Sequence, residues 1–188
     1  MSKNPLFRAM DVVVWVTVFY QARQLPHPYP FAWEGFVGGY VPKQLAYYLI
    51  SMLWVAGLWF ALYRVRDRAE AVDHRAVLAG MALMFLVILT PYATGLLFSS
   101  KSRFVYRFFG GTAVLTALAA YGLLWALEAN RGAFGSDRRK LLVALSIIAA
   151  GLGISLIRHR QLAVLAVGLA GLWLFVAPFV GAKAAEGR

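Results

Sequence analysis

Long apolar runs separated by short charged connections organise this chain from end to end. Gln44 to Tyr63 is twenty residues without a charge. Further runs extend from Ala76 to Ser100, Phe108 to Leu127, Leu141 to Ile157 and Leu162 to Ala182. A helix rises about 1.5 Å per residue, so roughly 17–25 apolar residues cross the ~30 Å hydrocarbon core of a bilayer. A soluble domain of 188 residues has no room to bury five such stretches on every side. The pattern therefore predicts an all-α integral membrane protein, forming one transmembrane domain over residues 1–188.

A sixth span is expected at the N-terminus. Met10 to Tyr20 is apolar except for Asp11, and 14 residues separate Arg8 from Arg23. No small-residue cleavage site follows, as a signal peptide would require; the chain continues Gln24-Leu25-Pro26-His27-Pro28-Tyr29-Pro30. A helix from Pro5 to Gln24 reaches about 30 Å, with Arg8 and Asp11 at i and i+3 placed to neutralise each other near the headgroups. The expected architecture is a six-helix transmembrane bundle, with five spans plus an interfacial N-terminal helix as the fallback. Alternate connections then hold twelve and seven of the Lys and Arg residues, the larger number on the side of both termini. By the positive-inside rule both termini are cytoplasmic, which suits a multi-pass protein of the cell inner (plasma) membrane.

All connections but one are short. Arg158-His159-Arg160 leaves almost no loop, so the last two helices are expected to form a tight antiparallel hairpin. The exception is residues 21–43, an outer interfacial loop rich in proline and aromatics, with Pro26, Pro28, Pro30 and Pro42 among Tyr29, Phe31, Trp33, Phe36 and Tyr40. Proline withholds backbone donors, and Trp and Tyr favour the headgroup zone, so this loop is expected to lie along the membrane surface. It serves as an anchoring belt, a lid over a site or a docking surface. Small residues at Ala149, Ala150, Gly151 and Gly153, and at Gly168 and Gly171, are expected to bring helices close.

Composition sharpens the picture. Hydrophobic residues make up 61% of the chain and charged residues 14%, with a formal net charge of +11. The cations sit in the connections, where topology signals and lipid-phosphate contacts lie, so the charge points to membranes and not to nucleic acid. With 0 Cys, disulfides, thiolate metal sites and thiol catalysis are excluded.

The residues able to do chemistry are sparse. His27, His74 and His159 all fall in or beside connections, so they do not project inward from spans as haem-ligating imidazoles do. A hydrolytic Ser–His pair has no histidine at the depth of Ser51, Ser146 or Ser155. No catalytic residue, metal site or cofactor is expected; an enzyme would have to draw on Glu34, His27 and His159.

Two clusters suit ligand or lipid binding. Thr90-Pro91-Tyr92-Ala93-Thr94-Gly95 places a proline kink in the third long run, and Thr90, Tyr92 and Thr94 offer hydroxyls to a polar pocket. Lys101, Arg103 and Arg107 form a basic outer rim, with Arg103 and Arg107 opposing the dipole of the helix they begin, so an anion is expected there. Glu34 is the one internal candidate, with Trp33 beside it. The function expected is a non-catalytic multi-pass subunit that packs against and stabilises or anchors a larger inner-membrane complex. Its partners are membrane lipids and other membrane protein subunits. The alternative is a small-molecule carrier or lipid- or quinone-binding protein using the kinked helix and the outer aromatic loop.

Overall fold

The computed structural model describes residues 5–23, 40–66, 72–99, 102–128, 135–157 and 161–186, and every regular element among them is α-helical. The helices are α1 (Pro5–Arg23), α2 (Tyr40–Arg66), α3 (His74–Ser99), α4 (Arg103–Glu128), α5 (Gly135–Ile157) and α6 (Leu162–Glu186). Apolar sequence adopts this form because a helix pairs its own backbone donors and acceptors, which hydrocarbon cannot do for it.

Local sequence sets the helix starts. Pro5 opens α1 at the position where a missing N–H is harmless. Asp73 caps α3: its carboxylate accepts the His74 N–H at 2.6 Å, and its carbonyl accepts the Val77 N–H at 3.1 Å. Ser102 caps α4 by accepting the Val105 N–H on its hydroxyl at 3.4 Å and on its carbonyl at 3.2 Å. The connection expected at residues 21–43 is shorter, because α1 continues to Arg23 and α2 begins at Tyr40. Pro42 falls in the first turn of α2, where proline costs no intrahelical hydrogen bond. What remains of that loop lies outside the described residues.

Among the described residues, four helices are long and apolar enough to cross a membrane, over Leu45–Val65, His74–Leu97, Arg103–Leu127 and Ser136–Leu156. The chain is therefore a membrane protein by the length and composition of its helices. The fifth apolar run falls in α6, where a shorter apolar stretch covers Leu162–Pro178. Helix α1, at 19 residues, spans about 28 Å.

The helices form a closed ring in the order α1, α3, α4, α5, α6, α2. Helix α1 rests mainly on α3 and more lightly on α2, while α2 and α4 also touch each other across the ring. The interior is filled by Trp54, Phe109, Leu58, Leu83, Leu123, Ile148 and Leu174, all nearly inaccessible. Outward faces carry large apolar side chains such as Trp15, Phe19, Phe85 and Phe104, the inverse of a surface built for water.

Glycine allows the closest crossings. A Cβ on Gly57 would lie 2.5 Å from the Gly171 carbonyl oxygen, so α2 and α6 meet backbone to backbone. Gly80 seats Leu6, whose Cδ1 would be 2.8 Å from an added Cβ, and so fixes α1 on α3. Gly151 faces Ala166 and the Leu162 carbonyl, which makes α5 and α6 the tight hairpin expected from their short connection. Gly153 has open space around it, and Ala149 and Ala150 are exposed, so the small-residue stretch of α5 contributes through Gly151.

Candidate functional site

Polar side chains inside the bundle tie helices together. Gln21, fully buried on α1, donates from Nε2 to the Ser51 hydroxyl of α2 at 3.2 Å. Ser51 in turn donates to the Tyr48 carbonyl at 3.0 Å. Lower on the same pair, the Trp59 indole N–H donates to Asp11 Oδ1 at 3.0 Å. Trp59 also leans on Tyr63, with ring centroids 5.2 Å apart. The hydroxyls of Tyr47 and Tyr106 join α2 to α4 at 3.4 Å. Arg138 on α5 donates to the Tyr121 hydroxyl of α4 at 2.8 Å, its guanidinium carbon 5.1 Å from the ring centroid. The Trp173 indole N–H reaches from α6 to the Lys140 carbonyl of α5 at 3.2 Å, and Lys140 Nζ pairs with Asp137 at 3.1 Å.

Two buried polar atoms have no hydrogen-bond partner among the described residues: Gln21 Oε1 and the Trp54 indole nitrogen. Trp54 borders a seam of about 170 Å³ with Thr90, Ala93, Phe109, Thr112 and Ala113, too narrow to hold a water molecule. A larger cleft, about 460 Å³ including its open mouth, lies between α1, α2 and α3. Its walls are apolar, from Phe7, Met10 and Val14 to Leu58, Leu83 and Val87, and Asp11, Trp59 and Tyr63 supply its polar groups.

Among the described residues, those singled out from sequence do not form one site. On α3, which contains Pro91, Thr94 is buried and donates to the Thr90 carbonyl at 2.8 Å, and Thr90 donates to the Leu86 carbonyl at 3.3 Å. Tyr92 lies on the opposite face, 60% exposed, edge-on to Phe108 of α4 with centroids 6.4 Å apart. Arg103 and Arg107 are exposed on the first turns of α4, and neither meets an acid among the described residues. Lys101, Glu34 and Trp33 lie outside the described residues, as do His27 and His159. His74 is exposed at the start of α3, with Nδ1 2.6 Å from the Asp73 carboxylate. Among the described residues no group of three His, Asp or Glu side chains converges on a common point.

Sequence reasoning missed the cleft and both α1–α2 hydrogen bonds. The signal available for them was a lone polar residue inside an apolar run, which Asp11 and Ser51 each are, with Gln21 just past the end of one. No known protein family matches this chain, and no curated protein or solved structure is similar enough to match it.

Proposed function

We propose that this chain is a non-catalytic multi-pass membrane subunit that packs against a larger inner-membrane assembly and stabilises or anchors it. One observation supports this reading above others. Among the described residues, the polar side chains of the bundle join one helix to a neighbour, as Gln21 does with Ser51 and Arg138 with Tyr121, or donate to their own helix, as Thr90, Thr94, Thr112 and Thr116 do, and no three acids or histidines gather around a shared reaction space. A bundle tied in this way keeps its outward faces in fixed register, which a structural partner requires. Helix α1 offers such a face in Val12, Trp15, Val16, Phe19 and Tyr20, each more than half exposed. In this proposal all six helices cross the bilayer and both termini are cytoplasmic, following the bias of positive charge.

A small-molecule carrier working through α3 has weaker support, because the Thr90 and Thr94 hydroxyls are donated to their own helix. Photo-crosslinking side chains at Trp15 and Phe19, compared with Leu118 on α4, test the subunit reading in native membranes. Discrete protein adducts of one mass from the α1 positions are expected. Lipid adducts alone from all three positions would refute it.

A further inference from the structure

Among the described residues, the acids all lie toward one end of the bundle. Asp11 is in the first half of α1, Asp73 precedes α3, Asp137 is in the first turn of α5, and Glu128 and Glu186 end α4 and α6. The contacts of Leu6 with Gly80, Tyr121 with Arg138 and Trp173 with Lys140 set these ends side by side. The opposite end, where α1 and α3 finish and α4 starts, presents Arg23, Arg103 and Arg107, all exposed. In sequence, the segments at that end, residues 21–43, 100–107 and 158–161, hold seven Lys and Arg against one acid, Glu34.

Arg103 and Arg107 occupy successive turns of one stripe on α4, and Phe104 and Phe108 form a second stripe about 100° round the same helix. Phe104 is 70% exposed, and its ring stacks on Phe108 with centroids 6.2 Å apart. Phe108 in turn meets Tyr92 of α3 edge to face. Three rings thus run from the start of α4 to Tyr92, which lies about 10 Å below the end of α3. A stretch able to cross the membrane begins at Arg103, so Arg103 stands at headgroup level. Arg107 is one turn deeper, and its long side chain can bring the guanidinium up to the same level. Cations at the surface therefore adjoin an aromatic wall that descends into the hydrocarbon.

From this arrangement we propose that the α3–α4 edge binds one phospholipid of net negative headgroup, its phosphate on Arg103 and Arg107 and an acyl chain along Phe104, Phe108 and Tyr92. The lipid belongs to the leaflet on the side where α4 begins. Guanidinium forks match the oxygens of a phosphate, and neither arginine meets an acid among the described residues. A zwitterionic lipid offers the same phosphate, but its ammonium enters an end that shows three exposed cations and no described acid. The headgroup selected is therefore one without an amine. The rings select a chain, because an acyl chain laid against all three gains dispersion contacts along its length. An acidic protein segment would use the arginines equally well and leave the rings below headgroup level uncovered. This site is separate from the outward face of α1, so it stands whether or not that face meets another subunit.

The test uses the full chain, incubated in micelles with equal amounts of phosphatidylglycerol, phosphatidylethanolamine and phosphatidylcholine bearing the same chains, and read by native mass spectrometry. Retention of phosphatidylglycerol should exceed that of either competitor roughly fivefold, the scale of repulsion between one exposed ammonium and two guanidiniums. Arg103→Gln with Arg107→Gln should bring the three lipids to parity. Arg64→Gln with Arg75→Gln removes two exposed cations from the opposite end and should leave the preference as it is. Phe104→Ala should lower retention of phosphatidylglycerol about threefold, whereas Leu118→Ala, farther along the exposed side of α4, should not. Each of these side chains is exposed, so the core of the bundle is left intact. Equal retention of the three lipids by the wild type, or unchanged retention in Phe104→Ala, overturns the proposal. So does a preference lost as fully at Arg64 and Arg75 as at Arg103 and Arg107, which would reflect bulk charge alone. A photo-crosslinker at Phe104 that captures a protein and no lipid in native membranes overturns it as well.

Discussion

Gly57 and Gly171 face each other where α2 crosses α6, so closely that a Cβ on Gly57 would stand 2.5 Å from the Gly171 carbonyl oxygen. A Cβ on Gly171 would lie 2.9 Å from the backbone of Leu53 and Trp54. Backbone cannot rotate away as a side chain can, so the two helices must separate. Gly171→Ala should destabilise the bundle by about 1–3 kcal/mol, as overpacking does in cores. Gly153→Ala, with open space around the site, should be neutral or gain up to about 1 kcal/mol from helix propensity. Thermal unfolding in detergent compares them, and equal melting temperatures would show that this crossing is not tight.

The Gln21–Ser51 bond is buried on both sides. Ser51→Ala leaves the Gln21 amide without that acceptor and should cost about 1–3 kcal/mol. Gln21→Leu with Ser51→Ala removes both partners and should recover most of the loss, since Gln21 Oε1 already lacks a partner. A double-mutant cycle read by thermal unfolding measures the coupling. Simple additivity of the two single changes would mean that the bond ties nothing together.

Helix positions were legible because an apolar run of span length has few other forms in a bilayer. Helix neighbours were not. Asp11 and Trp59 are 48 residues apart, and Gln21 and Ser51 thirty apart, so nothing local reveals that they meet. The i,i+3 spacing points from Asp11 to Arg8, but nothing local points to the indole of Trp59, which reaches Asp11 from another helix. The Tyr92–Thr94 cluster could have been read better: residues two apart on a helix point about 200° away from each other. One was bound to face outward, and it is Tyr92.

At the start of α4, Arg103 and Arg107 are exposed cations on turns whose dipole favours anions. Arg103→Ala with Arg107→Ala should leave membrane insertion intact and abolish any rise in melting temperature on adding anionic phospholipid. An unchanged lipid dependence in the double variant would mean that this rim is simply solvated.

The six-span proposal predicts labelling from opposite sides. The chain has 0 Cys, so single cysteines can be introduced without background. Glu34→Cys should react with an impermeant thiol reagent from outside intact cells. Ser136→Cys, exposed beside the buried Asp137, and Glu186→Cys should react only after the membrane is opened. Labelling of positions 34 and 136 from the same side would require a different number of crossings between them.

The proposal that this bundle is a structural subunit is tested most directly by excising native membrane patches with a copolymer, without detergent, and weighing the released complexes. The account predicts that the chain appears in fixed stoichiometry with at least one other membrane protein, and that substituting Trp15 and Phe19 by Ala releases it. Recovery of the chain alone, with only lipids attached, would contradict it.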